Sequence, residues 1–556
     1  MVISPERGGP GSITNSVVEE VDIGASITRV TTQRRTLVVN DEELDRLRTP
    51  IDGLVLEESE GEDRFGLAEG PFSTYARTLD VSARGDGQFD VTEETIWKLN
   101  VPVFGFLFWI PFRHHVKNGQ TNPRPWWAPE GRLDARAANV IGLLGVLAIV
   151  NGYVGTVIGQ TLTFAADDFC AEFADLAEGA RTCVDPDHDR SARADILSIV
   201  RVAIALAFAL LVIADRKGRR VAMTIAGVLS TAATALGAIA PSIEWLAFTQ
   251  VLARGSATGM SLLLLIFAAE EFPAKSRAYG VSMLVLLAGL GSGMVIWVLP
   301  LAGVADWGWR IVYAVGVVFV PIAIWATRKL PQTRRFDRLD RRPLRESLNE
   351  FAMNKKLRNR LLLLSVGALA ATVFSTPASQ FDNQFLRDEL GFGPGQISIF
   401  SLITGTPIGL GVLLGGMLAD RYGRRPIGAL GLTIGVSMTV LSFFSGGVSI
   451  FFVRAIGVVL GAGIAVPALA VYGPELFPTR LRSTANGVTI AFGVVGSVIG
   501  LQLVGRLSER WDAFGPALAV AAVGPLTLVI LILWLYPETA NRTLEDINDE
   551  PELTSR

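Results

Sequence analysis

Twelve apolar runs govern what this chain can become. They lie at roughly 137–164, 194–213, 221–240, 244–269, 278–301, 308–328, 359–386, 396–418, 427–445, 449–473, 484–506 and 514–536, with short polar knots between them. A helix rises ~1.5 Å per residue, so about 20 residues cross ~30 Å of hydrocarbon. A soluble protein of buried helices has no use for twelve such runs. The hydrophobic share of 50 % settles nothing by itself, because soluble chains reach it too. The expected fold is an all-α membrane protein with twelve transmembrane helices and a small N-terminal region.

Charge gives the expected orientation. The basic knots at 216–220, 275–277, 328–360, 421–425 and 480–482 all fall at alternate helix ends, and Lys and Arg stay on the cytoplasmic side during insertion. Both termini and the middle loop (329–358) are therefore expected in the cytoplasm. Residues 1–100 carry 20 acids against 10 bases, polar and acidic rather than signal-peptide-like. Arginine outnumbers lysine 43 to 7, which points to a GC-rich bacterial genome and hence to the bacterial inner membrane.

The chain also repeats itself. ADRKGRR (Ala214 to Arg220) returns as ADRYGRRP (Ala419 to Pro426), 205 residues later. Glu270 and Glu475, Pro273 and Pro478, and Arg277 and Arg482 keep the same 205-residue spacing. Two halves of six helices follow, 137–328 and 359–536, ending in a tail at 537–556. With these phrases on the page, the chain resembles the major facilitator superfamily. GMLADRYGRRP (416–426) is similar to its signature loop, PELFPTRLRS (474–483) to its later acidic loop, and PETANRTLEDI (537–547) to the closing motif of its sugar porters and organic-ion transporters. The resemblance implies a latch built from Asp215, Arg216, Gly218, Arg219, Glu270 and Arg277 in the first half. Asp420, Arg421, Gly423, Arg424, Glu475 and Arg482 are their partners in the second. The plainer reading is that these charges only orient helices and cap their ends. One departure stands out: the motif's leading glycine is Gly416 in the second half but Leu211 in the first.

Ahead of the spans, residues 1–35 read as unstructured and 36–100 as a small cytoplasmic domain. Alternation at Tyr75, Arg77, Leu79 and Val81, then RGDG, then Phe89, Val91, Trp97 and Leu99 reads as a hairpin. Residues 101–130 read as an interfacial segment, since VPVFGFLFWIPF is too short to span. Cys170 and Cys183 fall in the first outer loop, where an oxidising exterior permits a disulfide.

For the cargo, proton-driven sugar porters pair an Asp in the first helix with an Arg in the fourth. Val154 and Thr249 stand at those positions, which weakens a proton–sugar reading. Arg254 lies mid-membrane in the fourth helix, with a planar fork suited to a carboxylate. In the seventh helix Pro377 should break the chain, followed by Gln380, Asp382, Asn383 and Gln384. Asp382 is the candidate proton carrier, and Arg454 reads as a structural arginine near the outer end. Asn151, Gln160 and Gln250 add amides on the first and fourth helices. With three histidines, no phosphate-cradling loop, no triad and no metal-ligand spacing, neither an enzyme nor a cofactor or metal site is expected. The expected function is a monomeric secondary transporter that moves a small organic solute, an organic anion above all, by alternating access with proton coupling. Its partners are the bilayer, the solute and protons, with no nucleic acid. Two alternatives stay open: a sugar or polyol facilitator, and a transporter-like receptor that uses the N-terminal domain.

Overall fold

The computed structural model describes residues 30–85, 87–117, 125, 128–129, 131–174, 189–272, 276–332, 350–470, 472–478 and 481–539. Twelve helical stretches in it are long and apolar enough to cross a membrane, first to twelfth in chain order. They are Ala135–Ala166, Arg193–Ala214, Arg219–Gly237, Ile243–Ala268, Tyr279–Gly303, Asp306–Lys329, Lys355–Gln380, Pro394–Ala419, Arg424–Ser442, Ser449–Leu469, Thr484–Trp511 and Phe514–Leu535.

The two halves pack alike. The first span lies on the fifth as the seventh lies on the eleventh, the second on the fourth as the eighth on the tenth, and the third on the sixth as the ninth on the twelfth. Glycine permits these approaches, because in lipid helices associate by close backbone packing rather than by apolar burial. Gly291 presses on the carbonyl of Ile149, and its counterpart 205 residues on, Gly496, presses on that of Leu369.

The Pro377 expectation needs correcting. The helix runs through Pro377 to Gln380 and turns at Phe381, where a short helix Asp382–Asp388 starts. Proline frees the carbonyl four residues back, that of Val373. The eleventh span covers that carbonyl with Gly500, and such packing lets proline stay inside a membrane helix. Further breaks fall at Ala203 in the second span and along a π-helical segment, Gly457–Ala462, in the tenth.

The N-terminal region is a five-stranded antiparallel sheet in the order β1-β5-β4-β3-β2, with β1 (Thr31–Asn40), β2 (Leu56–Gly61), β3 (Arg64–Glu69), β4 (Phe72–Gly85) and β5 (Gln88–Leu99). The hairpin is β4 against β5, with Val81 opposite Val91. Residues 31–35 belong to β1, not to an unstructured leader: Gln33 is buried and accepts from Trp97 Nε1 at 3.1 Å, which fixes the strand's start to the core. A helix, α1 (Gly105–Lys117), sets Phe112 edge-on to Phe72 and leaves Phe106, Leu107 and Ile110 exposed on its other face. Sheet and bundle meet where Pro102 abuts Gly142 and Asn100 Nδ2 donates to the Ala135 carbonyl at 2.6 Å. The proposed Cys170–Cys183 bond, residues 1–29, most of the middle loop and the tail beyond Thr539 lie outside the described residues.

Candidate functional site

The repeated phrase folds into a repeated turn. Gly218 sits at φ 98°, ψ 153° and Gly423 at φ 97°, ψ 149°, each ending one helix and starting the next. Positive φ at both explains why glycine stands there. The arginine two residues on repeats its contacts too. Arg220 donates to the carbonyls of Thr327 and Arg328, while Arg425 donates to those of Ile532 and Leu533. Each of those four residues stands 205 positions from its counterpart. A cation thus satisfies the last carbonyls of the sixth and twelfth spans, where the helix dipole also favours it.

Around these turns the structure joins Arg219 to Glu270 at 3.4 Å, with both side chains 10 % exposed. Arg424 donates to Thr539 Oγ1 at 2.9 Å, and the backbone N–H groups of Arg424 and Arg425 donate to the Glu538 carboxylate at 3.0 and 3.1 Å. Glu538, which lies in the closing motif PETANRTLEDI, therefore caps the ninth span's first turn. Glu271, next to the expected Glu270, holds Arg136 at 3.1 Å. Arg421 stacks over the Tyr422 ring. The side chains of Asp215, Arg216, Arg277, Asp420, Glu475 and Arg482 lie outside the described residues. So does Gly416, but its neighbours Gly411 and Gly415 make the close approach, onto Val459 and Ile464 of the tenth span.

At the opposite, far end the two halves are sealed together. Arg190 donates to the Ser508 carbonyl at 2.7 Å and pairs with Asp512 at 3.2 Å, and Glu509 accepts from the Ser191 N–H at 3.0 Å. Gln502 Nε2 donates to Asp195 and Ser198 at 2.8 and 3.1 Å. Asn383 Nδ2 reaches the backbone and side-chain oxygens of Gln160, both at 2.9 Å. The largest buried apolar cluster joins the halves at this level, Phe164 and Leu197 with Phe381, Leu501 and Phe514.

The predicted site residues divide between this seam and the interior. Gln160, Gln380 and Asn383 belong to the seam, with Gln380 lying against Gly159, and Gln384 is buried beside them in the chain. Asp382 meets Arg454 at 2.7 Å, and that guanidinium sits over the rings of Phe443 and Phe400. Asp382 thus has its charge balanced in this conformation. Deeper in the first half, Asn151 Nδ2 donates to Ser261 Oγ at 2.7 Å while its Oδ1 finds no partner among the described residues. Gln250 is fully buried with neither amide atom partnered among them. Val154 sits in an apolar cluster with Ala233, Ala253 and Ala257, and Thr249 bonds back to Leu246, so no ion pair occupies the sugar-porter positions. Arg254 is partly exposed, eleven residues from the fourth span's start at Ile243, or ~16 Å deep. A second arginine, Arg201, is partly exposed in the neighbouring second span. The sequence signal for it was plain: an arginine inside the second apolar run.

A twelve-helix bundle of two matching halves, glycine turns repeated at one spacing and arginines at mid-depth define a multi-pass membrane protein of the transporter kind. The Major Facilitator Superfamily model matches residues 194–381 and 363–553, and the chain belongs to that family. It is 28 % identical over 255 residues to a cis,cis-muconate transport protein of Acinetobacter baylyi, covering 43 % of this chain and 60 % of that relative's length. It is also 28 % identical over 375 residues to the proline/betaine transporter of Escherichia coli, covering 60 % of this chain and 71 % of the relative. Among solved structures, the inward-open xylose transporter XylE from E. coli covers 73 % of this chain and 98 % of its own, at TM-score 0.57 and 17 % identity. That likeness concerns the fold.

Proposed function

We propose that this protein is a secondary transporter that carries a small organic anion through a central cavity by alternating access. The observation that carries the reading is Arg254: an arginine at mid-membrane depth, only partly exposed, with no carboxylate partner among the described residues. A charge in that place is costly unless it faces a water-filled cavity or a counter-ion, and a carboxylate matches its fork. The name of the muconate relative, an organic anion transporter, supports the same cargo class. The far-end seal and the repeated turns support a cycle in which the cavity opens on the side of the Gly218 and Gly423 turns. The basic knots support a cytoplasmic location for that side and for both termini in a bacterial cell, with α1 laying Phe106, Leu107 and Ile110 into the headgroup layer. Both six-helix halves belong to one chain, which supports a monomer as the working unit. Proton coupling runs through Asp382, which exchanges Arg454 for a proton as the far end opens.

Uptake of labelled carboxylates and sugars into proteoliposomes, with and without a pH gradient, tests the proposal. Carboxylate uptake that falls at least ~100-fold in Arg254→Ala is the expected result, because a charge-assisted contact and its desolvation are lost together. Uptake of sugars alone, or carboxylate uptake indifferent to Arg254→Ala, would sink it.

A further inference from the structure

Arg254 has a companion. The fourth span meets the second at Gly255, where a Cβ would lie 2.6 Å from the Ala203 carbonyl oxygen and 3.1 Å from the Leu206 Cβ. Arg254 is one residue from that crossing on the fourth span, and Arg201 is two residues from it on the second. The helix itself breaks at Ala203, between Asp189–Val202 and Ile204–Lys217. Arg201 acts on Arg254 as a like charge, and no described carboxylate acts on either.

Arg201 also faces the right way. Ser198, three residues earlier, accepts from Gln502 of the second half, so this side of the helix looks across the molecule. Arg201 follows directly beneath that contact, on the cavity side of the far-end seal. Both arginines are partly exposed although they stand in membrane-spanning helices. Lipid does not tolerate two unpaired cations side by side; a water-filled cavity does, and it favours an occupant that brings two negative charges.

We infer that Arg201 and Arg254 form one binding site for a dianion, a small dicarboxylate whose two carboxylates are each held by one guanidinium fork. The inference rests on the anion reading of Arg254 and narrows it to a substrate class. Arg254 anchors one carboxylate; Arg201 selects for the second. A monocarboxylate leaves Arg201 without an anion and forfeits a charge-assisted pair. The bland role for Arg201, a cation serving the C-terminal carbonyls beside the break, predicts no preference between one charge and two.

The test uses the full chain, purified and reconstituted, with succinate, glutarate and adipate, each beside its mono-amide, at fixed ionic strength. Binding is read by ligand-dependent thermal stabilisation and by competition for uptake. In the unaltered protein at least one diacid should bind about tenfold or more tighter than its mono-amide. Arg201→Gln should bring that ratio close to one while the mono-amide keeps its affinity; Arg254→Gln should weaken both ligands. Arg201→Lys, which keeps the charge and loses the fork, should restore part of the preference and guards against a folding defect in the glutamine variant. An unchanged ratio in Arg201→Gln, with binding still lost in Arg254→Gln, overturns the two-arginine site and leaves the anion transporter standing. A protein that binds diacid and mono-amide alike also overturns it. Failure to bind any of the six acids overturns both readings.

Discussion

Single residues decide more in the N-terminal sheet than its size suggests. Arg77 is 1 % exposed and Glu57 fully buried, joined by two hydrogen bonds of 2.8 and 2.7 Å, with Tyr75 also donating to Glu57 at 2.6 Å. Burial pulls the Arg77 guanidinium down, but the hydrogen bond and charge of Glu57 outweigh it and leave its pKa raised. Glu57→Gln strands a buried cation, at a cost of about 3–5 kcal/mol. Glu93, 3.8 Å from Arg77, should hold the loss to the lower end. Hydrogen exchange along β4 and β5 should accelerate on the order of 100-fold. A double change to leucine, removing both charges, should restore most of the protection. None of this was legible in the sequence, where Arg77 read as one more alternating residue of a hairpin. The signature residues were legible, because a glycine at positive φ and an arginine on helix-end carbonyls leave a fixed phrase behind. Glu538 and Arg201 fell between: each stood in a stretch the sequence marked, but their partners lie 114 and 53 residues away, and only the fold brings them close.

At the scale of elements, the twelve helices were readable because lipid demands length and apolarity from each one separately. Their ends and breaks were not, since a helix stops where neighbours let it: Pro377 passes unbroken under Gly500, and Ala203 breaks with no proline at all. The duplicated halves also solve one packing problem in opposite ways. In the first, Gly259 of the fourth span receives the Leu210 side chain of the second, while in the second Gly415 of the eighth span lies against the Ile464 backbone of the tenth. Leu210 and Gly415 are equivalent positions, as are Gly259 and Ile464, so glycine and bulky residue have changed sides. The absence of the signature glycine at Leu211 therefore does not loosen the first half, where the close approach comes from the fourth span's glycines instead. Gly259→Ile alone should overpack the crossing by about 1–3 kcal/mol and lower the unfolding temperature in detergent. Adding Leu210→Gly should recover it, because the pair then copies the second half. A double variant no better than the single one would show that the halves tolerate different backbones at this crossing.

For the whole molecule, function depends on how easily the far-end seal opens. The seal combines an apolar cluster, which shifts as a block, with a few charged hydrogen bonds that act one by one. Arg190 carries several of the latter at once: the Ser508 carbonyl, Asp512, and the face of Phe514 at 4.7 Å. Asp512 is almost fully solvated and contributes little, so the buried end of the arginine does most of the holding. Hydrogen bonds to charged groups are worth ~1.5–3 kcal/mol. Arg190→Ala should thus raise the far-end-open population roughly tenfold or more, without touching Arg201 or Arg254. Accessibility reports this directly. In a background with Cys170 and Cys183 replaced by serine, a cysteine substituted at Ser198 is buried within the seal, and an impermeant maleimide added from the far side reaches it only when the halves part. Labelling should speed up by about the same factor in Arg190→Ala, and saturating anionic substrate should alter the rate in both proteins by biasing the same equilibrium. Equal labelling rates with and without Arg190 would mean that the apolar cluster alone holds the gate, and that the polar contacts around it only set the register of the two halves.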